Sequence, residues 1–183
     1  MKTDLSTFNN NWYNSGSPLK RVLWYMVNIL CVLPAWNVSS SLKVFLLKLF
    51  GAHIGKGVVL KPGINIKYPW KLSIGNHCWV GEQVWIDNLD QVSIQNNVCI
   101  SQGAFLLCGN HNYKLPTFDL IVKPIVLENG CWIGAKSVVA PGVTLESHAV
   151  LSMGSTTTKD LEAYKIYAGN PAEFRKTRVI STI

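Results

Sequence analysis

From residue 54 onward, aliphatic side chains return every six residues. They stand at Ile54, Leu60 and Ile66, again at Ile74, Val80 and Ile86, and again at Ile94, Ile100 and Leu106. After a break the series resumes at Leu127, Ile133, Val139, Leu145 and Leu151. Within a triplet the step is six, and from triplet to triplet the period is twenty, visible in WKLSIG and DQVSIQ. Four residues after the anchors comes a second set, often small or β-branched, that includes Val58, Ile64, Cys78, Val84, Val98, Ala104, Cys131, Ser137, Val143, Ala149 and Ser155. An α-helical stripe would return near every 3.6 residues, so this period is not helical. It fits short strands joined by tight turns, where stacking one turn on the next is what buries a core. The pattern predicts a mainly β chain, a parallel β-helix of hexapeptide repeats over 51–160.

Ahead of the repeat the pattern changes. Residues 20–36, KRVLWYMVNILCVLPAW, form an apolar run interrupted by Asn28 and Pro34. The run is shorter than the roughly 20 residues that span a bilayer. A cleavable leader would fit by length, but the run starts late and no small-residue cleavage site follows, so the segment is expected to stay. The next segment, SSSLKVFLLKLFGA, predicts a helix with serines at its start and Gly51 at its end. Its Leu42, Phe45, Leu46, Leu49 and Phe50 follow helical spacing. The chain thus divides into a helical arm at 1–50, the β-helix at 51–160 and a tail at 161–183. The arm has two compatible roles: packing on the body or a neighbouring subunit, and an interfacial membrane contact suggested by Trp24, Tyr25 and Trp36 beside Lys20 and Arg21.

Composition narrows the classes. Of 183 residues 48% are apolar and 15% charged, which excludes a disordered chain. Five cysteines without CxxC or CxxH spacing argue against a disulfide framework or a zinc site and suit a reducing cytoplasm. The net charge is +7, but residues 51–150 are nearly neutral; the arm holds Lys2, Lys20, Arg21, Lys43 and Lys48 against Asp4 alone. A basic stripe on the folded body, the footprint of a nucleic-acid binder, is missing.

The break in the repeat is LLCGNHNYKLPTFDLIVKPIVLENG, which predicts a loop at 111–124 leaving the coil at His111. A histidine among asparagines is ordinarily solvated surface, so the residue alone carries little. His53, His77 and His148 fall in the turn patterns AHIGKG, IGNHCW and LESHAV and read as turn or surface residues.

The hexads resemble the hexapeptide-repeat acyltransferases, whose coil is a left-handed parallel β-helix with three flat faces. CWIGAKSVVAPGVTLESHAVLSMGSTTTKDL followed by YAGNPAEFRK is similar to the closing signature of the sugar and maltose O-acetyltransferases. The arm with LFGAHIGKGVVLKPGINIKYPWKLSIGNHCWVGEQVWI resembles more narrowly the colanic-acid-type O-acetyltransferases of exopolysaccharide biosynthesis. The resemblance implies a homotrimer, acetyl-CoA in the groove between neighbouring coils, a loop over the site, and a catalytic histidine where that loop departs. That position is His111 in GNHNY.

On this pattern His111 takes the proton of an attacking sugar hydroxyl and the backbone amide of Ala135, in WIGA, faces the oxyanion; relatives often carry Ser there. Transfer is expected to be direct, without an acyl-enzyme. Cofactor contacts carry over to Trp132, Met153, Thr158, Lys159 and Arg175, the last a cation for the coenzyme phosphates. Met153 stands where the family has a small residue. Asp87 and Asn88, in WIDNLD, are expected acceptor contacts. The implied function is acetyl-CoA-dependent O-acetylation of a saccharide or lipid-linked polysaccharide precursor, cytoplasmic or peripheral at the inner membrane face. The alternatives are N-acetylation of an amino or nucleotide sugar and a non-catalytic assembly protein. No metal is expected: a zinc enzyme on this coil needs converging histidines, and none follows His111 before His148.

Overall fold

The computed structural model describes residues 2–181. Three parallel sheets wrap one core, and each coil lends one short strand to each sheet. The first face stacks His53–Ile54, Leu72–Ile74, Val92–Ile94, Ile125–Leu127 and Thr144–Leu145. The second stacks Val59–Leu60, Trp79–Val80, Cys99–Ile100, Trp132–Ile133 and Val150–Leu151. The third stacks Asn65–Ile66, Trp85–Asp87, Phe105–Leu107, Val138–Val139 and Thr156–Thr157. Like pairs with like in register, as Ile54 with Ile74 and Ile74 with Ile94. This is the parallel β-solenoid the repeat predicts.

Both sequence sets fill the interior. Ile86, Leu106, Leu127, Ile133, Val139, Leu145 and Leu151 are fully enclosed, as are Cys78, Ala104, Ser137 and Ala149 from the corners. The third residue after the anchors takes up the bend with a positive φ, except after Ile66, Ile86 and Leu106 at the enlarged edge. Glycine does so at Gly57 and Gly103, and His77, Gln83, Asn97, Lys136 and His148 do so at φ between 56° and 61°. A side chain in that region costs about 1 kcal/mol or more, so the coil holds these turns against their preference. His77 and His148 are therefore turn residues. His148 also stacks on Tyr164 with centroids 4.7 Å apart. Asparagines add a ladder along the edge between the first and second faces: Asn76, Asn96 and Asn129 each accept from an amide one coil away, at 2.8 to 3.1 Å.

The edge between the third and first faces is longer than the others. Six residues separate anchors elsewhere, but eight separate Ile66 from Ile74 and Ile86 from Ile94. In the next coil the same edge holds the whole interruption. After it, coils close in eighteen residues, Leu127 pairing with Leu145. The loop is thus an enlargement of a corner already loosened in two coils below.

Both ends of the coil are capped. Helix α1, Pro18–Val27, starts on Ser17, whose side chain accepts from the Lys20 amide, and passes into a wider turn at Asn28–Val32. Helix α2, Ser40–Leu49, starts on Ser39, which accepts from the Leu42 amide, so the serine cap is as expected. Ser40 joins α2 to the first coil: its hydroxyl accepts from the Leu60 amide at 2.9 Å and donates to the Val58 carbonyl. Trp24 is buried and its indole donates to the Ile66 carbonyl at 2.8 Å. At the other end Lys165–Gly169 extends the second face and folds back against Ala172–Thr177.

The cysteines are free thiols, with Cys78, Cys108 and Cys131 buried. Burial pushes the Cys108 thiol up to about 12 and that of Cys131 up to about 11. Both stay protonated and unreactive near pH 8. Titration of the native chain with a thiol-specific reagent at pH 8 should label at most Cys31 and Cys99, and unfolding should release the other three. Rapid labelling of five thiols in the native chain would contradict the packing.

Candidate active site

The interruption folds as a hairpin. Gly109–His111 pairs antiparallel with Leu120–Val122, His111 opposite Leu120, and residues 112–119 form the tip. Gly109 packs tightly at the base: a Cβ there would stand 2.5 Å from a methyl of Leu89, which would have to move aside. His111 is half-buried. Its Nδ1 lies 2.9 Å from the Phe118 carbonyl oxygen. A carbonyl only accepts, so in the neutral ring Nδ1 carries the proton and Nε2 keeps its lone pair. The imidazole is stacked on the Phe118 ring, with centroids 4.4 Å apart and planes 8° from parallel. Phe8 of the arm closes on it at 5.8 Å. The ring is held, its tautomer is set, and one basic nitrogen is left over, which is what a proton acceptor requires.

The arm is fastened along the same edge. The Asp4 amide donates to the Pro116 carbonyl at 2.9 Å. Tyr13 donates to the Leu89 carbonyl at 2.6 Å, and Lys71 Nζ reaches Leu89 O, Asn14 O and Tyr13 Oη at 2.6 to 3.2 Å. Burial raises the Tyr13 hydroxyl pKa and lowers that of Lys71. Sequence reading missed Phe118 and Phe8. Phe118 lies inside the interrupted segment and was open to notice, whereas nothing near Phe8 signals a contact with a residue about a hundred positions away.

Asp87 and Asn88 part company. Asn88 is fully enclosed, and its amide spans the corner, accepting from the Tyr68 amide and donating to the Tyr68 and Lys71 carbonyls. Its polar atoms serve the coil. Asp87 pairs with Lys67 at 2.8 Å and lines a groove of about 720 Å³ between α1 and the third face. Arg21, Tyr25, Asn28, Tyr68 and Trp85 share that groove. His111 is not among its lining residues.

Trp132, Ala135 and Met153 lie along the second face and its edge with the third, whereas Thr158 and Lys159 follow the last strand of the third face. Trp132 is 46% exposed on the second face and donates to Ser101 Oγ at 2.9 Å. Ala135 follows at the edge, where its carbonyl accepts from the Gly154 amide. Its own N–H makes no backbone hydrogen bond among the described residues. Met153 stands one coil above Ala135 and is 78% exposed. Thr158 and Lys159 are exposed on the last coil. Arg175 is exposed on the closing hairpin, donating to the Ala168 carbonyl at 3.1 Å. Trp132, Ala135 and Met153 therefore form one neighbourhood, and His111 stands across the third face from it. A single chain does not bring them together.

Coils approach closely at this edge. A Cβ at Gly134 would stand 2.3 Å from the Met153 nitrogen and 2.6 Å from the Ser152 carbonyl carbon. Both are backbone atoms, so Gly134→Ala has to pry the coils apart beside Ala135. Overpacking of this kind costs about 1–3 kcal/mol, and thermal unfolding should show it as a lowered midpoint.

Over nearly its whole length the chain is similar to WcaF of Escherichia coli (strain K12), named for colanic acid biosynthesis as an acetyltransferase. The two are 37% identical over 179 residues, covering 96% of this chain and 97% of that protein. The chain belongs to the hexapeptide-repeat acetyltransferases. The family model for the hexapeptide repeat of succinyl-transferase matches residues 124–159, the coils after the loop. Among solved structures, the hexapeptide-repeat acetyltransferase VCA0836 of Vibrio cholerae O1 biovar eltor, complexed with acetyl-CoA, superposes with a TM-score of 0.82 at 18% identity, covering 96% of each chain. A galactoside acetyltransferase in complex with coenzyme A superposes at 0.76 with 25% identity, covering 90% of this chain and 83% of that one. Relatives in this acetyltransferase family therefore hold the coenzyme on the same scaffold. Among the described residues no group of three or more His, Cys, Asp or Glu is placed to hold a metal ion. None of the described helices is long and apolar enough to cross a membrane.

Proposed function

We propose that the protein transfers the acetyl group of acetyl-CoA directly to a hydroxyl of a saccharide, free or carried on a lipid. His111 is the general base. The observation that carries this reading is the hydrogen bond from His111 Nδ1 to the Phe118 carbonyl, which in the neutral ring makes Nε2 the basic nitrogen, on a ring held between two phenylalanines.

The hydroxyl oxygen attacks the thioester carbonyl carbon while Nε2 takes its proton. The tetrahedral oxyanion is met by the Ala135 N–H of a neighbouring chain, and collapse expels the coenzyme thiolate, which recovers the proton from the imidazolium. Because His111 and Ala135 lie on different edges of one coil, the reading requires an assembly of chains, which we take to be a trimer. Trp132, Met153, Thr158, Lys159 and Arg175 then border the coenzyme, with Lys159 and Arg175 supplying charge for its phosphates. Asp87 is the acceptor contact, its carboxylate directed at sugar hydroxyls from the groove wall. The high pKa of Cys108 and Cys131 fits transfer without an acyl-enzyme.

The test is release of free thiol from acetyl-CoA over a panel of sugars and lipid-linked oligosaccharides. The reading expects acceptor-dependent release with at least one saccharide and an ester in the product. Release only with amino sugars, giving an amide, would move the activity to N-acetylation.

A further inference from the structure

We infer that the arm carries a lipid-docking face, built by α1 and α2, that seats the protein on an anionic membrane surface. The inference stands apart from the acetyl-transfer reading. Its basis is the orientation of the helices. Sequence spacing gives α2 an apolar stripe through Phe45 and Leu49, which on a water-facing helix would turn inward. Here Phe45 and Leu49 point out, 61% and 67% exposed, while Lys43 on the same helix is wholly buried, its Nζ donating to the Asn37 carbonyl at 2.5 Å. Burial without an acid partner lowers the Lys43 pKa, a cost the fold accepts to keep this orientation. On α1 Leu19 and Met26 are outward, and in the segment beyond it Leu30 and Trp36 are 57% and 71% exposed. Apolar surface of this extent on a folded chain marks a contact.

Charge selects the occupant. Arg21 and Lys48 are exposed on the two helices, Lys20 lies over the Trp70 ring at 4.7 Å, Asp4 is the one acid in the first fifty residues, and none of these cations forms an ion pair among the described residues. A second copy would set like charges against each other, whereas anionic headgroups complement them. Trp36 and Tyr25, exposed at the margin, are residue types that settle at a headgroup boundary. At ten residues each, α1 and α2 are too short to cross, so the face lies on the bilayer rather than through it.

The full-length protein should be sedimented with phosphatidylcholine vesicles and with phosphatidylcholine–phosphatidylglycerol vesicles, at low and high salt. Selective, salt-sensitive binding to the anionic vesicles is expected. Phe45→Glu and Leu30→Glu should each lower that partition at least ~10-fold, because each sets a carboxylate where an apolar side chain would enter the lipid, and unfolding midpoints near wild type would show that both variants fold. Failure to bind either vesicle, or equal binding to both, would overturn the proposal. So would a fall in particle size of Phe45→Glu without lipid, which would mean that another copy covers the face.

Discussion

His111→Ala is expected to lower the turnover number for acetyl transfer by about 10² to 10⁴, the usual contribution of a positioned general base. The Michaelis constant for acetyl-CoA should change little. In the proposed assembly the coenzyme is bordered by Trp132, Ala135, Met153 and Arg175, none of which contacts the imidazole within one chain. The unfolding midpoint should also hold, since the hairpin keeps its pairing of Gly109–His111 with Leu120–Val122. Loss of turnover together with loss of coenzyme binding would point to a structural role for the histidine. Wild-type turnover would remove it from the chemistry.

The second large effect falls on the core. Leu106 is fully enclosed, stacked between Ile86 and Val139 in the third face, one residue before the strand ends and five before the hairpin histidine. Leu106→Ala deletes packing that neighbouring coils are too regular to recover. A loss of about 2–5 kcal/mol is expected, which lowers the unfolding midpoint by roughly 4–20 °C for a chain of this size. Thr144→Ala, on the outer side of the first face, should stay within about 0.5 kcal/mol. Equal effects of the two would contradict the assignment of inward and outward positions.

The coil was legible because it repeats. An inward residue such as Ile133 is announced by Val139 and Leu145 at the same step, and stacking converts that step into a ladder with one register. The small corner residues were legible for the same reason, down to Cys78 and Cys131. The place of the loop was legible too, since a period makes its own interruption visible. Contacts without a period were hidden. Phe8 on the imidazole, Tyr13 and Lys71 on Leu89, and the Phe118 carbonyl on Nδ1 each join segments whose local patterns say nothing about one another. Asn88 was hidden differently: its residue type fits a sugar contact, but the widened corner leaves three backbone groups that its amide satisfies. Helix α2 was predicted as a helix from its caps and spacing, yet spacing gives a stripe and not the side it faces. In the fold the stripe is split: Leu46 and Phe50 pack on the core, while Leu42, Phe45 and Leu49 look outward.

The direct trial of the proposed site is a crystal structure of the protein grown with coenzyme A. The account predicts the coenzyme in a cleft between two chains, its sulfur near His111 Nε2 of one and the Ala135 amide of the other, within the roughly 3–3.5 Å range of reacting groups once an acetyl group is added. Coenzyme bound wholly within one chain, or with its thiol remote from His111, would contradict it.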